Sequence, residues 1–220
     1  MLFSVDENKK RKRMIREQLE RRGIEQQAVL ESMREVPRHL FVPDKLKNKA
    51  YHDCPLPIKK GQTISQPYIV ALMIEALKLE ENDRVLEIGT GSGYAAAVLA
   101  QIVEEVYTIE RHQSLAELAR ERFEILGYDN LQVKVSDGTE GWQEFAPYDG
   151  IVVAAGAPVL PEPLAEQLEI GGKLVIPVGD RDLQELLVLT KESDGELNKE
   201  RIARVRFVPL IGEEGWVAED

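Results

Sequence analysis

Between residues 84 and 179 short apolar runs alternate with amphipathic stretches, and that rhythm leaves few folds open. "RVLEIG" (84–89), "EVYTIE" (105–110), "LQVKV" (131–135), "YDGIVVAA" (148–155) and "GGKLVIPVG" (171–179) read as strands: short, β-branched and bounded by turn residues. "SGYAAAVLAQIV" (92–103), "LAELARERFEILG" (115–127) and "PEPLAEQL" (161–168) read as helices between them. Strands that alternate with helices argue for a parallel, doubly wound sheet. The rhythm then changes. "LQELLVLTK" (183–191) and "RIARVRFVPL" (201–210) are two strands joined by the polar loop "ESDGELNKE", which is too short for a crossover helix. An antiparallel hairpin is expected there.

Upstream, residues 7–36 read as two helices broken at Gly23, and "YIVALMIEALKL" as an apolar helix from residue 67. Between them Pro37, Pro43, Pro55 and Pro57 mark a long irregular connection of the kind that often carries function. The expected fold is α/β: a doubly wound, mostly parallel seven-stranded sheet with helices on both faces, a C-terminal antiparallel hairpin and an N-terminal helical appendage. One domain is expected over 1–220: N-terminal helices and loop (1–60), an α/β core (61–180) and a C-terminal substrate-side segment (181–220).

A chain of 220 residues buries a full core without staples. Cys54 is the only cysteine, which excludes an intramolecular disulfide, makes a cysteine-based zinc site unexpected and suits a reducing cytoplasm. No metal ligand is assigned. No apolar run reaches the roughly 18 residues that span a bilayer, and no signal-peptide core is visible. The net charge of −11 disfavours nucleic acid, where counterion release needs Lys and Arg. "KKRKR" at 9–13 is read as the solvated face of the first helix, not a nucleic-acid arm.

In "VLEIGTGSGYAA" three glycines, Gly89, Gly91 and Gly93, lie between the first core strand and its helix. Glycine lets the backbone turn sharply and approach a ligand at a helix N-terminus. Alone, the cluster fits a dinucleotide site or an empty tight turn equally well. Glu87 separates these readings. A carboxylate inside a strand is costly unless paired. It repels a pyrophosphate and attracts a cationic ligand, and the alternative is a salt bridge to Lys or Arg. S-adenosylmethionine carries an ammonium and a sulfonium and no phosphate. Glu110, ending the second strand, is placed to accept from ribose hydroxyls, or else to cap the next helix. Asp137, in "SDG" after the third, is a candidate for the adenine amino group, or an ordinary turn. Arg111 and Gly138, next to these acids, join the candidate cofactor contacts.

With these residues the core resembles the Rossmann-like S-adenosylmethionine-dependent methyltransferases. "AYHDCPLPIKKGQTISQP", "APYDGIVVAAGAP", "LEIGGKLVIPVG" and "RFVPLIGEEGW" narrow the resemblance to the protein-L-isoaspartate O-methyltransferases, over most of the chain. Gln66 and Tyr68 depart from the pattern, standing where many relatives have Ala and His. The resemblance implies methyl transfer from S-adenosylmethionine to the free α-carboxylate of L-isoaspartyl residues in damaged proteins and peptides, leaving S-adenosylhomocysteine. It implies an active-site role for Ser65, which also contacts the cofactor; without it, Ser is simply a preferred helix N-cap. Thr63 and Ile64 are expected to line the cofactor. Tyr68, Leu210 and Ile211 are expected on the peptide side. The expected state is a cytoplasmic monomer or weak oligomer without nucleic-acid or membrane partners.

Three rivals remain. Another methyltransferase would need polar groups after the fourth core strand, where this chain reads "AAGAP". An NAD(P)-linked oxidoreductase is opposed by Glu87. A non-catalytic scaffold would bind the methyl donor without labelling a peptide. His39, His52 and His112 stand alone, with no Cys-His or Ser-His-Asp arrangement.

Overall fold

The computed structural model describes residues 5–218. The chain opens with helix α1 (Val5–Met14), which runs through a π-turn (Ile15–Leu19) and a 3₁₀ turn to Gly23. Gly23 takes the left-handed conformation that breaks the helical run before α2 (Gln27–Glu35). The basic run is not wholly a solvated face. Arg11 is buried and donates from Nη1 to the Glu35 carbonyl at 2.9 Å, docking α1 on α2, while Lys10 and Arg13 pair with Asp6 and Glu17.

The proline-rich connection follows. It contains a two-stranded ribbon, β1 (Leu56–Pro57) and β2 (Thr63–Ile64), paired antiparallel. Helix α3 (Pro67–Leu77) starts with proline at its first position, where a missing N–H costs nothing.

The core sheet comprises β3 (Arg84–Ile88), β4 (Glu105–Glu110), β5 (Leu131–Val135), β6 (Tyr148–Val153), β7 (Leu168–Gly179), β8 (Gln184–Lys191) and β9 (Leu197–Val205). Their order is β5-β4-β3-β6-β7-β8-β9. The first five are parallel, and β8 and β9 join antiparallel. Helices α4 (Tyr94–Leu99), α5 (Gln113–Leu126) and α6 (Glu162–Glu166) complete the winding. The expected seven-stranded doubly wound fold is present. Strand residues alternate between two buried layers: Val85 and Val106 pack with the N-terminal helices, Leu86 and Tyr107 with the α6 side. Both faces are covered, so the strands read as continuous apolar runs.

The hairpin differs from expectation in register. The turn occupies only the residues around Gly195, which takes φ +86, and β9 begins at Leu197. Residues 197–200 look like loop in the sequence because β9 is an edge strand, and charged side chains there guard an open edge. Residues 206–210 are not strand. They leave the sheet and run beside the end of β6, where Gly156 bridges to Pro209. That detour places Leu210 and Ile211 over the carboxyl ends of the strands.

Candidate active site

Chain direction across the sheet reverses between β3 and β6, and ligands of open α/β sheets bind outside the strand ends at such a point. An open cleft of about 820 Å³ lies there. Its floor is the turn after β3. Gly89 and Gly91 take positive φ values of +95 and +53, a backbone that side chains beyond glycine rarely adopt. Gly93 lies outside the lining. It caps the N-terminus of α4, and an added Cβ would lie 2.8 Å from the Phe123 ring.

Glu110 ties this turn down. Oε2 accepts from the Gly91 N–H at 2.8 Å and Oε1 from the His112 N–H at 2.9 Å. The carboxylate therefore holds both the glycine loop and the start of α5, while still lining the cleft.

Glu87 is almost fully buried and also lines the cleft. Thr108 Oγ1 donates to its Oε2 at 2.6 Å, and Thr90 and Thr108 share a 2.6 Å hydrogen bond behind it. No lysine or arginine pairs with it among the described residues, so the salt-bridge alternative fails. Burial pushes its pKa up to about 8, partly opposed by the Thr108 hydrogen bond, and the Glu110 charge adds to the rise. A buried acid so placed is held protonated near neutral pH, and a cationic ligand beside it would favour the carboxylate.

Ser65 follows β2 on the opposite rim, beside Thr63 and Ile64, and all three line the cleft. The N-cap of α3 is Gln66, not Ser65, and no side chain caps that end. The capping alternative for Ser65 is thereby set aside. Its hydroxyl has no protein partner among the described residues, while its carbonyl accepts from Arg38 Nη2 at 2.6 Å. Arg111, Gly138, Leu210 and Ile211 complete the part of the lining named from the sequence. Leu210 is fixed by its N–H to the Gly156 carbonyl at 2.8 Å, a carbonyl that also accepts from Trp216 Nε1 at 3.0 Å.

Besides Gly93, two named residues fall outside the lining. Asp137 accepts from the Thr139 N–H and hydroxyl, both at 2.8 Å, and from the Glu213 N–H at 2.7 Å. The turn reading describes it well, and three of its roughly four acceptor directions are taken. Tyr68 lies beneath the Arg22 guanidinium, 3.5 Å from its ring centroid, and faces the N-terminal segment. Sequence reasoning missed Thr90 and Thr108, which are ordinary strand and loop residues until the sheet pairs them, and Arg38. The one available signal for Arg38 was a lone charge inside the apolar, proline-flanked "VPRHLFVP".

A family profile described as Protein-L-isoaspartate(D-aspartate) O-methyltransferase matches residues 9–215. The chain is 60% identical over 213 residues to a protein-L-isoaspartate O-methyltransferase of Pelotomaculum thermopropionicum, covering 96% of this chain and 93% of that one. It is 55% identical over 213 residues to the protein of the same description in Petrotoga mobilis, covering 96% of this chain and 100% of that one. A solved protein-L-isoaspartate O-methyltransferase superposes with a TM-score of 0.83 at 29% identity, over 93% of this chain and 67% of that chain. A Plasmodium falciparum structure, described as a protein-L-isoaspartate O-methyltransferase in complex with S-adenosyl-L-homocysteine, gives a TM-score of 0.80 at 30% identity, over 91% and 98%. The matches run from the first helix to the segment that closes over the cleft, and this chain belongs to the protein-L-isoaspartate(D-aspartate) O-methyltransferase family.

Proposed function

We infer that this protein transfers a methyl group from S-adenosylmethionine to the free α-carboxylate of L-isoaspartyl residues in damaged proteins and peptides. The neighbouring backbone amide nitrogen attacks the resulting ester and expels methanol, and water opens the succinimide so formed in part to ordinary aspartate, so the outcome is repair. The observation that carries this reading is one cleft holding two buried acids, Glu87 and Glu110, opposite the unengaged Ser65 hydroxyl.

The donor set fits S-adenosylmethionine. The wall at the strand ends is acidic, which disfavours a pyrophosphate and suits a nucleoside joined to a cationic chain. At Gly89 and Gly91, which take positive φ, the turn presents bare backbone to the cleft. When bound, S-adenosylmethionine supplies an electrophilic methyl group on a sulfonium. Glu87 would face the ammonium of its methionine half, and Glu110 would offer ribose hydroxyls the lone pairs that Gly91 and His112 leave. Thr63, Ile64, Arg111 and Gly138 would line the same ligand. Asp137 would have one acceptor direction left for an adenine amino group.

The accepting carboxylate is ionised at neutral pH, its ordinary pKa being about 3.5–4, so no general base is needed. The Ser65 hydroxyl donates a hydrogen bond to one carboxylate oxygen and leaves the other oriented for attack. Leu210 and Ile211 cover the peptide side and exclude water. Rate enhancement then comes from holding two reactants in line. We assign Tyr68 no substrate contact, since it is held under Arg22.

Among the described residues no helix is long and apolar enough to cross a membrane. The net charge of −11 and the lone cysteine support a cytoplasmic protein that does not bind nucleic acid. We take a monomer or weak oligomer as the working state, to be read by light scattering. The activity is tested by incubating the protein with methyl-labelled S-adenosylmethionine and a matched pair of aspartyl and isoaspartyl peptides. Base-labile label on the isoaspartyl peptide alone is expected; equal labelling of both, or of neither, would sink the reading.

A further inference from the structure

We propose that Arg38 is a positioning residue for the substrate carboxylate: its buried guanidinium fixes the Ser65 main chain and gives that end of the cleft a positive charge. This rests on the reading of Ser65 as the group that meets the carboxylate.

Arg38 is fully buried, yet among the described residues it forms no ion pair. Its Nε donates to the Ala50 carbonyl at 2.8 Å and its Nη2 to the Ser65 carbonyl at 2.6 Å. One planar group at the start of the irregular connection thus bonds its middle and its end, a segment with little regular structure of its own. The fork suits arginine: a lysine ammonium is a point charge on a flexible stem. Cζ lies 4.8 Å from the ring centroid of Tyr94, a residue that lines the cleft. Nη1 and the Tyr94 hydroxyl are both buried, and the Tyr94 hydroxyl helps to hold the Arg38 charge against burial.

A buried cation without a counter-ion is costly, and a fold normally neutralises or pairs it. Burial lowers the Arg38 pKa only to about 10, so it remains charged at neutral pH. The cleft is therefore polarised. Glu110 makes the strand-end wall negative, Glu87 adds its charge when a cationic ligand draws off its proton, and Arg38 makes the ground beneath Ser65 positive. That polarity matches a cationic donor on one side and an anionic acceptor on the other. Arg38 does not itself line the cleft, so it acts through the Ser65 main chain and through its field.

The test uses the full chain loaded with S-adenosylhomocysteine and two peptides: an isoaspartyl peptide, and its analogue with an α-carboxamide in place of the α-carboxylate. The unsubstituted protein is expected to prefer the carboxylate. Arg38→Met is expected to shrink that preference about tenfold, through the lost field of a buried charge, with S-adenosylhomocysteine affinity within about twofold. Arg38→Lys keeps the charge but not the fork. It is expected to keep most of the preference while lowering kcat/KM for the isoaspartyl peptide about tenfold. An unchanged preference in Arg38→Met, or equal weakening of both peptides, would overturn the proposal. If Arg38→Met fails to bind S-adenosylhomocysteine, Arg38→Lys decides: unchanged kcat/KM there would overturn it. Failure of the unsubstituted protein to methylate the isoaspartyl peptide at all would sink the underlying function instead, and is seen before any variant is made.

Discussion

Glu110 and Gly91 lie 19 residues apart in the chain and meet at 2.8 Å, the carboxylate of one closing on the backbone N–H of the other. The bond fastens the glycine turn after β3 to the end of β4, so the cleft floor is built before any ligand arrives. The second oxygen does the same for His112 at the start of α5. Glu110→Gln replaces one acceptor with an NH₂ that faces an N–H. We expect it to lower S-adenosylmethionine affinity about tenfold or more, through a loosened loop and a lost charge-assisted acceptor. Isothermal titration reads this directly; wild-type affinity would show that the loop holds its shape without the carboxylate.

Gly93 and Gly127 give a matched pair for stability. Both take positive φ, +86 and +77. A Cβ at Gly93 would meet Phe123 at 2.8 Å, whereas at Gly127 nothing lies within 4 Å. Gly127→Ala carries only the left-handed penalty of about 1–2 kcal/mol. Gly93→Ala adds overpacking of about 1–3 kcal/mol against α5. Thermal melts of the two should therefore differ, each kcal/mol shifting the midpoint by about 2–4 °C for a chain of this size. Equal shifts would mean that Phe123 yields without cost.

The strand pattern was legible because buried parallel strands are apolar throughout: β4 and β5 begin and end where their sequence runs do. The turn after β3 was legible too, since three glycines between a strand and a helix announce a sharp backbone turn, and Gly89, Gly91 and Gly93 all take positive φ. The start of β9 was not, because Asn198, Lys199 and Glu200 are polar for the sake of the sheet edge and so look like loop. Arg38 was not, because a charged residue is ordinarily a surface residue and only the fold reveals which carbonyls it meets. Asp137 shows the limit from the other side: an Asp-Gly pair is a turn signal first, and here the turn and the Glu213 contact use most of it. Which loops converge over one cleft depends on strand order, and no local stretch states that.

If Glu87 faces the donor's ammonium as proposed, cofactor binding is expected to depend on pH. Its folded pKa is raised to about 8 by burial, against an ordinary 4.5. An acid raised in this way favours the fold below its unfolded pKa and loses that contribution as pH climbs through about 8. In the ligand-free protein at neutral pH it is therefore mostly protonated. A cationic ligand beside it favours the carboxylate, so binding expels a proton and affinity rises from about pH 6 to about 8, then levels. Titration at neutral pH in two buffers of different ionisation heat should give different observed heats, and Glu87→Gln should erase the difference. The same substitution should raise the ligand-free melting temperature at pH values above about 8, relative to the unsubstituted protein. Buffer-independent heats would remove Glu87 from the ammonium's neighbourhood.

Ser65 can be separated from its own scaffold. Arg38 grips its carbonyl, and the N-cap position of α3 belongs to Gln66. Ser65→Ala therefore removes only a hydroxyl with no protein partner among the described residues, leaving the loop tether and the helix start in place. A cap substitution would cost about 0.5–2 kcal/mol of stability; this one should leave the melting temperature almost unmoved. A hydrogen bond to a charged group contributes about 1.5–3 kcal/mol, so kcat/KM for an isoaspartyl peptide should fall about 10- to 100-fold. S-adenosylmethionine affinity should stay within about twofold, because Glu87 and Glu110 carry that end of the cleft. Ser65→Thr keeps the donor and adds a methyl group on the cleft side, and should fall between the two. If Ser65→Ala lost cofactor affinity and turnover in equal measure, the hydroxyl would be a support for the cofactor, and the substrate carboxylate would have to be held by another group on that rim.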